Sequence, residues 1–152
     1  MSIISTVKNF LIEDEWRYDD SKEEHGIFQA GLQGNNDSYR MVFSGDDEKE
    51  QVLVLAIMKH NIPENKRKEV AEFLTRCNYA FAIGNLEMDF SDGEVRYRSS
   101  IDVEGGTLTS KMVHTLTYLS ASCIDKVQPY IMKIVYADKT AAEAYDMYRE
   151  AQ

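Results

Sequence analysis

The densest set of residues able to do acid–base or anion-binding chemistry lies in one short stretch: Glu87 and Asp89, then Glu94, Arg96 and Arg98. Two-residue spacing puts Glu87 and Asp89 on one face of a strand, and Arg96 and Arg98 on one face of the next. Acids facing arginines across a hairpin either form a site or simply pair on its wet side, for about 0.2–1 kcal/mol each. The other candidates are thinner. His25, His60 and His114 share no H-x-x-x-H spacing, and no cysteine stands at a ligand distance from any of them. Asp46-Asp47-Glu48-Lys49-Glu50 lacks the alternating acidic loop of a calcium site and reads as an exposed hairpin turn. Gly31-Leu32-Gln33-Gly34 is a G-x-x-G on a strand entering a turn, without the helices and basic flanks of a nucleic-acid clamp. No G-x-S-x-G, phosphate loop or dinucleotide fingerprint occurs. Cys77 and Cys123 sit among apolar neighbours and read as buried reduced thiols. The expectation is a protein that is not an enzyme, with no catalytic residues, no metal and no cofactor.

Recognition of another protein needs different residues, and these are present. Tyr118, Tyr130, Tyr136, Tyr145 and Tyr148 concentrate in the C-terminal third, in a chain with seven methionines. Tyr and Met are enriched at interface cores, so these residues form an association surface or else pack the interior. The charge is sided. The net charge is −9, and residues 1–50 carry 12 acidic and 5 basic side chains, or −7 of it. Such acidity argues against non-specific binding to nucleic acid or to anionic membranes, both of which rest on Lys and Arg neutralising negative charge, and the expectation is neither as a partner. The first sixteen residues lack the apolar run and cleavage site of a signal peptide, and the apolar run Val52–Met58 is far short of a span of about 20 residues. A cytoplasmic location follows as the expectation.

The elements that position these residues are legible from periodicity. With 152 residues and no repeat or linker, the chain reads as one domain over residues 1–152. Ile3, Ile4, Val7, Phe10 and Leu11 recur at helical spacing, predicting a first helix from Ser2 to about Asp14. Phe28, Ala30 and Leu32, then Tyr39, Met41 and Phe43, alternate as strands around the turn Gly34–Asp37. The run of seven from Val52 reads as a central strand covered on both faces, completing an antiparallel meander. Pro63 opens a second helix with the stripe Val70, Phe73, Leu74 and Cys77. A hairpin follows: Leu86, Met88 and Phe90 out, Ser91-Asp92-Gly93 as turn, and Val95 to Val103 back. A long helix capped at Thr109 or Ser110 carries Met112, Leu116, Leu119, Cys123 and Val127, and should break or kink at Pro129. Thr140 and Glu143 form a capping box for a last short helix. The fold class is α+β, in the order α-β-β-β-α-β-β-α plus a helical tail, with helices packed on one face of an antiparallel sheet.

The run Pro63-Glu-Asn-Lys-Arg-Lys-Glu-Val-Ala-Glu-Phe-Leu74, with Asn78-Tyr79, Ile83-Gly84-Asn85-Leu86-Glu87 and Asp92-Gly93-Glu94-Val95-Arg96-Tyr97-Arg98, resembles the YbjN family. That family is described as bacterial sensory-transduction regulators. The likeness is strongest over residues 62–104. Its signature is structural and names no catalytic residue. It implies a fold similar to class I type III secretion chaperones, which are small acidic homodimers that hold segments of partner proteins. The expected function is thus a non-enzymatic protein-binding module, regulatory or chaperone-like, working as a homodimer. The alternative is a small-molecule (anion) sensor or enzyme with a site on the 85–103 hairpin. Partner or ligand contacts are expected among Glu87, Arg96, Arg98, Tyr118, Tyr130, Tyr145 and Tyr148.

Overall fold

A computed structural model describes residues 2–152. Helix α1 (Ile3–Glu13) starts where Ser2 Oγ accepts from the backbone N–H of Ser5. A second cap comes from far along the chain: Asp47 Oδ1 accepts from the N–H groups of Ile3 (2.5 Å) and Ile4 (3.2 Å). The acidic turn around residue 47 therefore satisfies orphan donors at the positive end of α1. Asp47→Ala should cost about 1 kcal/mol, seen as a lower urea midpoint with unchanged slope.

The strands β1 (Tyr18–Lys22), β2 (Ile27–Gln33), β3 (Ser38–Asp46) and β4 (Gln51–Met58) follow, and α2 (Arg67–Asn78) comes after Pro63 and one 3₁₀ turn, Glu64–Lys66. The hairpin β5 (Asn85–Met88) and β6 (Val95–Asp102) leads to α3 (Ser110–Ala137) and α4 (Ala141–Glu150). The strands form one antiparallel sheet in the order β1-β2-β3-β4-β6-β5. The predicted order holds, with β1 added as an edge strand. Its sequence, YDDSK, has four exposed positions in five and carries a bulge against β2, which gave no alternation to read. Phe90 lies beyond the end of β5 in the turn and is 56% exposed, so the hairpin is shorter than its alternation implied.

The helices share one side of the sheet. Helix α1 packs on β3, α2 on β5, and α3 on β4 and β6, while α4 rests on α2 and α3. Phe28, Met41, Phe43, Val54, Ala56 and Tyr97 face them and form a single buried cluster with Val7, Leu11, Phe73, Leu116, Ile124 and Ile131. Thr109 caps α3 and Thr140 with Glu143 makes the capping box of α4. The buried stripe of α3 is turned from the predicted one. Met112 is exposed at 39%, and the inward line runs through Val113, Leu116, Ser120, Ile124 and Val127. Ser120 belongs there because its hydroxyl bonds Ser99 on β6 at 2.7 Å, a partner that hydrophobic periodicity does not register.

Of the break or kink expected at Pro129, the break is absent: α3 runs through it for 28 residues. Proline removes the N–H that would bond the carbonyl of Asp125. That carbonyl instead accepts from Asn36 Nδ2 at 2.8 Å, in the β2–β3 turn. The Asp125 carboxylate takes three more donors from the same region: Asn35 N–H (2.8 Å), Asn36 N–H (3.0 Å) and Tyr39 Oη (2.7 Å). Gly34 makes room, since a Cβ there would sit 2.5 Å from Asp125 Oδ1. The orphaned helix carbonyl is thus the point at which the meander is tied to α3.

Candidate functional site: the helix-free face of the sheet

Alternation puts every second sheet residue on the side away from the helices. On β4 these are Leu53, Leu55 and Ile57. Leu55 is 7% exposed and Ile57 4%, yet neither joins the helix-side cluster. Register explains their burial. Ile57 lies between Arg40 on β3 and Arg96 on β6, and Leu55 between Val42 and Arg98. The hydrocarbon stems of the arginines cover the apolar centre while their guanidinium groups stay wet. The central strand is covered on both faces, as its sequence implied, but on one of them by its neighbours' side chains instead of by a helical layer.

This face has a broad trough of about 620 Å³ over β2, β3 and β4, lined by Gln29, Gly31, Arg40, Ile57 and Lys59 among others. A second depression of about 310 Å³, at the opposite end of the strands, is bordered by Asp46, Gln51, Leu53 and Asp102. A third, of about 410 Å³, lies along the hairpin beside Glu87, Asp89, Glu94 and Arg96. All three are open surface depressions formed by pleated strands and long side chains. Among the described residues no group of three or more His, Cys, Asp and Glu is placed to hold a metal.

The hairpin arginines converge on one carboxylate. Glu87 Oε1 accepts from Arg96 Nε at 2.5 Å and from Arg98 Nε at 3.0 Å, and Glu94 lies 3.6 Å from Arg40. Burial pushes the Glu87 carboxyl up, but the hydrogen bonds and charges of Arg96 and Arg98 outweigh it and hold the group below its ordinary range. The sign for stability follows. A depressed folded value means that the cluster stabilises the fold above the unfolded value of about 4.3, and that this is lost as pH falls through the folded value. Arg96→Ala should therefore cost about 0.5–1 kcal/mol at neutral pH. It should also raise the Glu87 titration midpoint seen by carboxyl ¹³C NMR, and the ion-pair part of its cost should fade as pH falls through the lower wild-type value.

The predicted contact residues fall into separate places. Glu87, Arg96 and Arg98 share the helix-free face. Tyr130, Tyr145 and Tyr148 lie on the other side of the sheet, where Tyr148 packs against Tyr130 (5.8 Å between ring centres), Tyr145 (6.4 Å) and Phe73 (6.3 Å). They join α2, α3 and α4 to one another. Tyr118 donates to Asp14 and packs against Trp16 and His114, fixing the end of α1 to α3. Tyr136 remains 79% exposed on α3. Cys77 and Cys123 are unpaired, and burial pushes the Cys77 thiol up to about 12, far from a reactive thiolate. Arg40, Val42, Leu53 and Ile57 were missed as site candidates because they come from two strands, β3 and β4, that only sheet pairing brings onto one face with the hairpin. The available signal was parity: the residues of β3 and β4 out of phase with Tyr39, Met41 and Phe43 include an arginine and three branched aliphatics.

Among the described residues no helix is long and apolar enough to cross a membrane. No curated protein matches the chain. Among solved structures, that of YbjN from E. coli, described there as a transcription regulator in the putative sense, aligns over 89% of this chain and 90% of its own, with a TM-score of 0.59 and 15% identity. The HopA1–SchA chaperone–effector complex includes a chain that aligns over 78% of this one and 85% of its own, with a TM-score of 0.49 and 18% identity. The family model described as "Putative bacterial sensory transduction regulator" matches residues 4–131, and the chain belongs to that family, YbjN.

Proposed function

We infer that this chain acts by binding protein, in a regulatory or chaperone-like role, and that it does so as a cytoplasmic homodimer without catalysis of its own. One observation carries the reading: the sheet presents a wide face that no helix covers among the described residues, with an apolar centre framed by Arg40, Arg96 and Arg98. Extended faces of this composition suit macromolecular contact. Small-ligand sites are enclosed and burying instead. The alternative, an anion site on the hairpin, is weakened because Arg96 and Arg98 are both turned onto Glu87. Two measurements test the reading. Light scattering on a sizing column should give twice the chain mass at tens of micromolar; a strict monomer there removes the dimer. A crosslinked pull-down from native lysate should return a partner in stoichiometric amount, and repeated recovery of the chain alone removes the protein-binding role.

A further inference from the structure

Residues Tyr130 to Gln152 include no glycine or proline, yet the chain turns back on itself after α3. The turn is only Asp138-Lys139-Thr140, and Asp138 takes it at a φ of 51°. That left-handed region disfavours an L side chain by about tenfold, and the residue found there at a helix end is usually glycine. The apolar stripe does not register the turn. Ile131, Ile134, Asp138, Ala141, Tyr145 and Tyr148 follow in steps of three and four, the period of one helix face, with Asp138 the sole charged member. The residues that seat α3 and α4 separately would thus share one face of a single straight helix. Tyr136, Ala137 and Asp138 are exposed, and the straight course leads into solvent.

We propose that α4 is exchanged between two copies of the chain. Helices α3 and α4 join into one, Ser110–Glu150, and α4 of each copy enters the groove between α2 and α3 of the other. The proposal rests on the homodimer reading and names its surface. The groove itself argues for this occupant, because α4 already fills it. Ala141 and Ala144 are fully buried there, and the Tyr148 ring meets Phe73 of α2 and Tyr130 of α3. A second copy's α4 presents the identical surface, so exchange remakes each of these contacts, twice by symmetry. A ten-residue helix is marginal alone, so α4 sits in one groove or the other. As a helix, Asp138 to Glu150 reaches about 20 Å, which carries α4 clear of its own α2. Opposing terms set the balance. The closed turn has the Thr140–Glu143 capping box, the Lys66–Asp138 ion pair and a bond from the Ala141 N–H to Glu69 Oε1 at 2.6 Å. The straight helix gives these up, relieves Asp138 and pairs the backbone of three more residues. A short hinge under strain is the condition that invites exchange. The helix-free face of the sheet stays open to a protein partner in this arrangement.

The test moves the two sides of that balance in opposite directions. Thr140→Ala removes the capping box and puts a better helix former at the joint. A cap is worth about fivefold at each hinge and a dimer has two, so the dimer Kd from sedimentation should fall about 25-fold. Asp138→Gly relieves the turn and penalises the straight helix, so Kd should rise by about 25-fold or more; the exposed pair with Lys66 weighs little. Both side chains are exposed, and circular dichroism verifies that each variant folds. Wild type supplies a direct readout. Thr140 is extended in the closed turn (φ −75°, ψ 162°), so its ¹³Cα and ¹³Cβ shifts should pass to helical values as concentration converts monomer to dimer. Wild type that stays monomeric at tens of micromolar overturns the homodimer reading, and this surface with it. A wild-type dimer in which Thr140 remains extended, or a Kd that neither variant moves, overturns the exchange alone and leaves the dimer to another face.

Discussion

Replacing Asp125 by alanine is expected to destabilise the protein by about 3–5 kcal/mol, among the largest effects of any single polar substitution in the chain. The carboxylate accepts from Asn35 N–H, Asn36 N–H and Tyr39 Oη, and the residue is 7% exposed. Removing it takes the acceptor from three donors, the buried Tyr39 hydroxyl and two part-buried turn N–H groups, each costing about 1–3 kcal/mol if unmet. Urea denaturation should show a fall in midpoint with unchanged slope, and Tm should drop by about 10 °C or more. A loss below about 1 kcal/mol would show that water replaces the carboxylate and that the tie is weak. The acid dependence has a definite sign. Burial pushes Asp125 up, but the Tyr39 hydroxyl and the backbone N–H groups of Asn36 and Asn35 hold it below its ordinary range. Its contribution is present above the unfolded value of about 3.9 and disappears as pH falls through the folded value. The main-chain half of the contact can be separated. Asn36→Ala orphans the Asp125 carbonyl at a cost of about 1–2 kcal/mol. Adding Pro129→Ala restores an N–H four residues on, so the double variant should regain most of that loss, a coupling that a double-mutant cycle measures.

This cluster also marks the limit of what the sequence discloses. The helices, the meander and the hairpin were legible because their core residues repeat with a period of 3.6 or 2 and their caps are local: Ser2, Thr109 and Thr140 each act within three residues. Pro129 reads as a break or kink in the long helix. What could not be seen was a donor 89 residues away, which meets the carbonyl that the proline leaves without its helical N–H. Asp47, read as a solvated turn acid, caps a helix 44 residues earlier for the same reason. The candidate site divided in the same way. Glu87, Arg96 and Arg98 were legible as a unit because one hairpin joins them, whereas Arg40 and Lys59 reach the same face only through the pairing of β3, β4 and β6. The tyrosines were left open between core and interface because helical spacing does not say which side of a helix meets its neighbour.

The second large effect is expected at Gly93, where the sequence disclosed half of the constraint. Its place after Ser91-Asp92 marks a turn residue, and its φ of 80° is the left-handed conformation that costs an L side chain about 1–2 kcal/mol. The other half is tertiary. The turn is pressed onto the chain entering α2: Ile62 N–H bonds the Gly93 carbonyl at 2.8 Å, and Arg67 reaches both the Ile62 and Phe90 carbonyls. A Cβ on Gly93 would lie 2.2 Å from the Ile62 carbonyl oxygen, with backbone on both sides of the clash, so no side-chain rotation relieves it. Gly93→Ala should therefore cost about 2–4 kcal/mol, the conformational term plus the loss of one or two hydrogen bonds of about 1 kcal/mol each. Gly105 supplies the control. Its φ is 74°, but a Cβ there meets nothing within 4 Å, so Gly105→Ala should cost about 1 kcal/mol from conformation alone. The difference between the two, read from urea midpoints, isolates the contact of the hairpin with Ile62. Equal losses at the two glycines would mean that the hairpin can lift from α2 without penalty. In that event Glu87, Arg96 and Arg98, carried by the same hairpin, would have no fixed position on the open face.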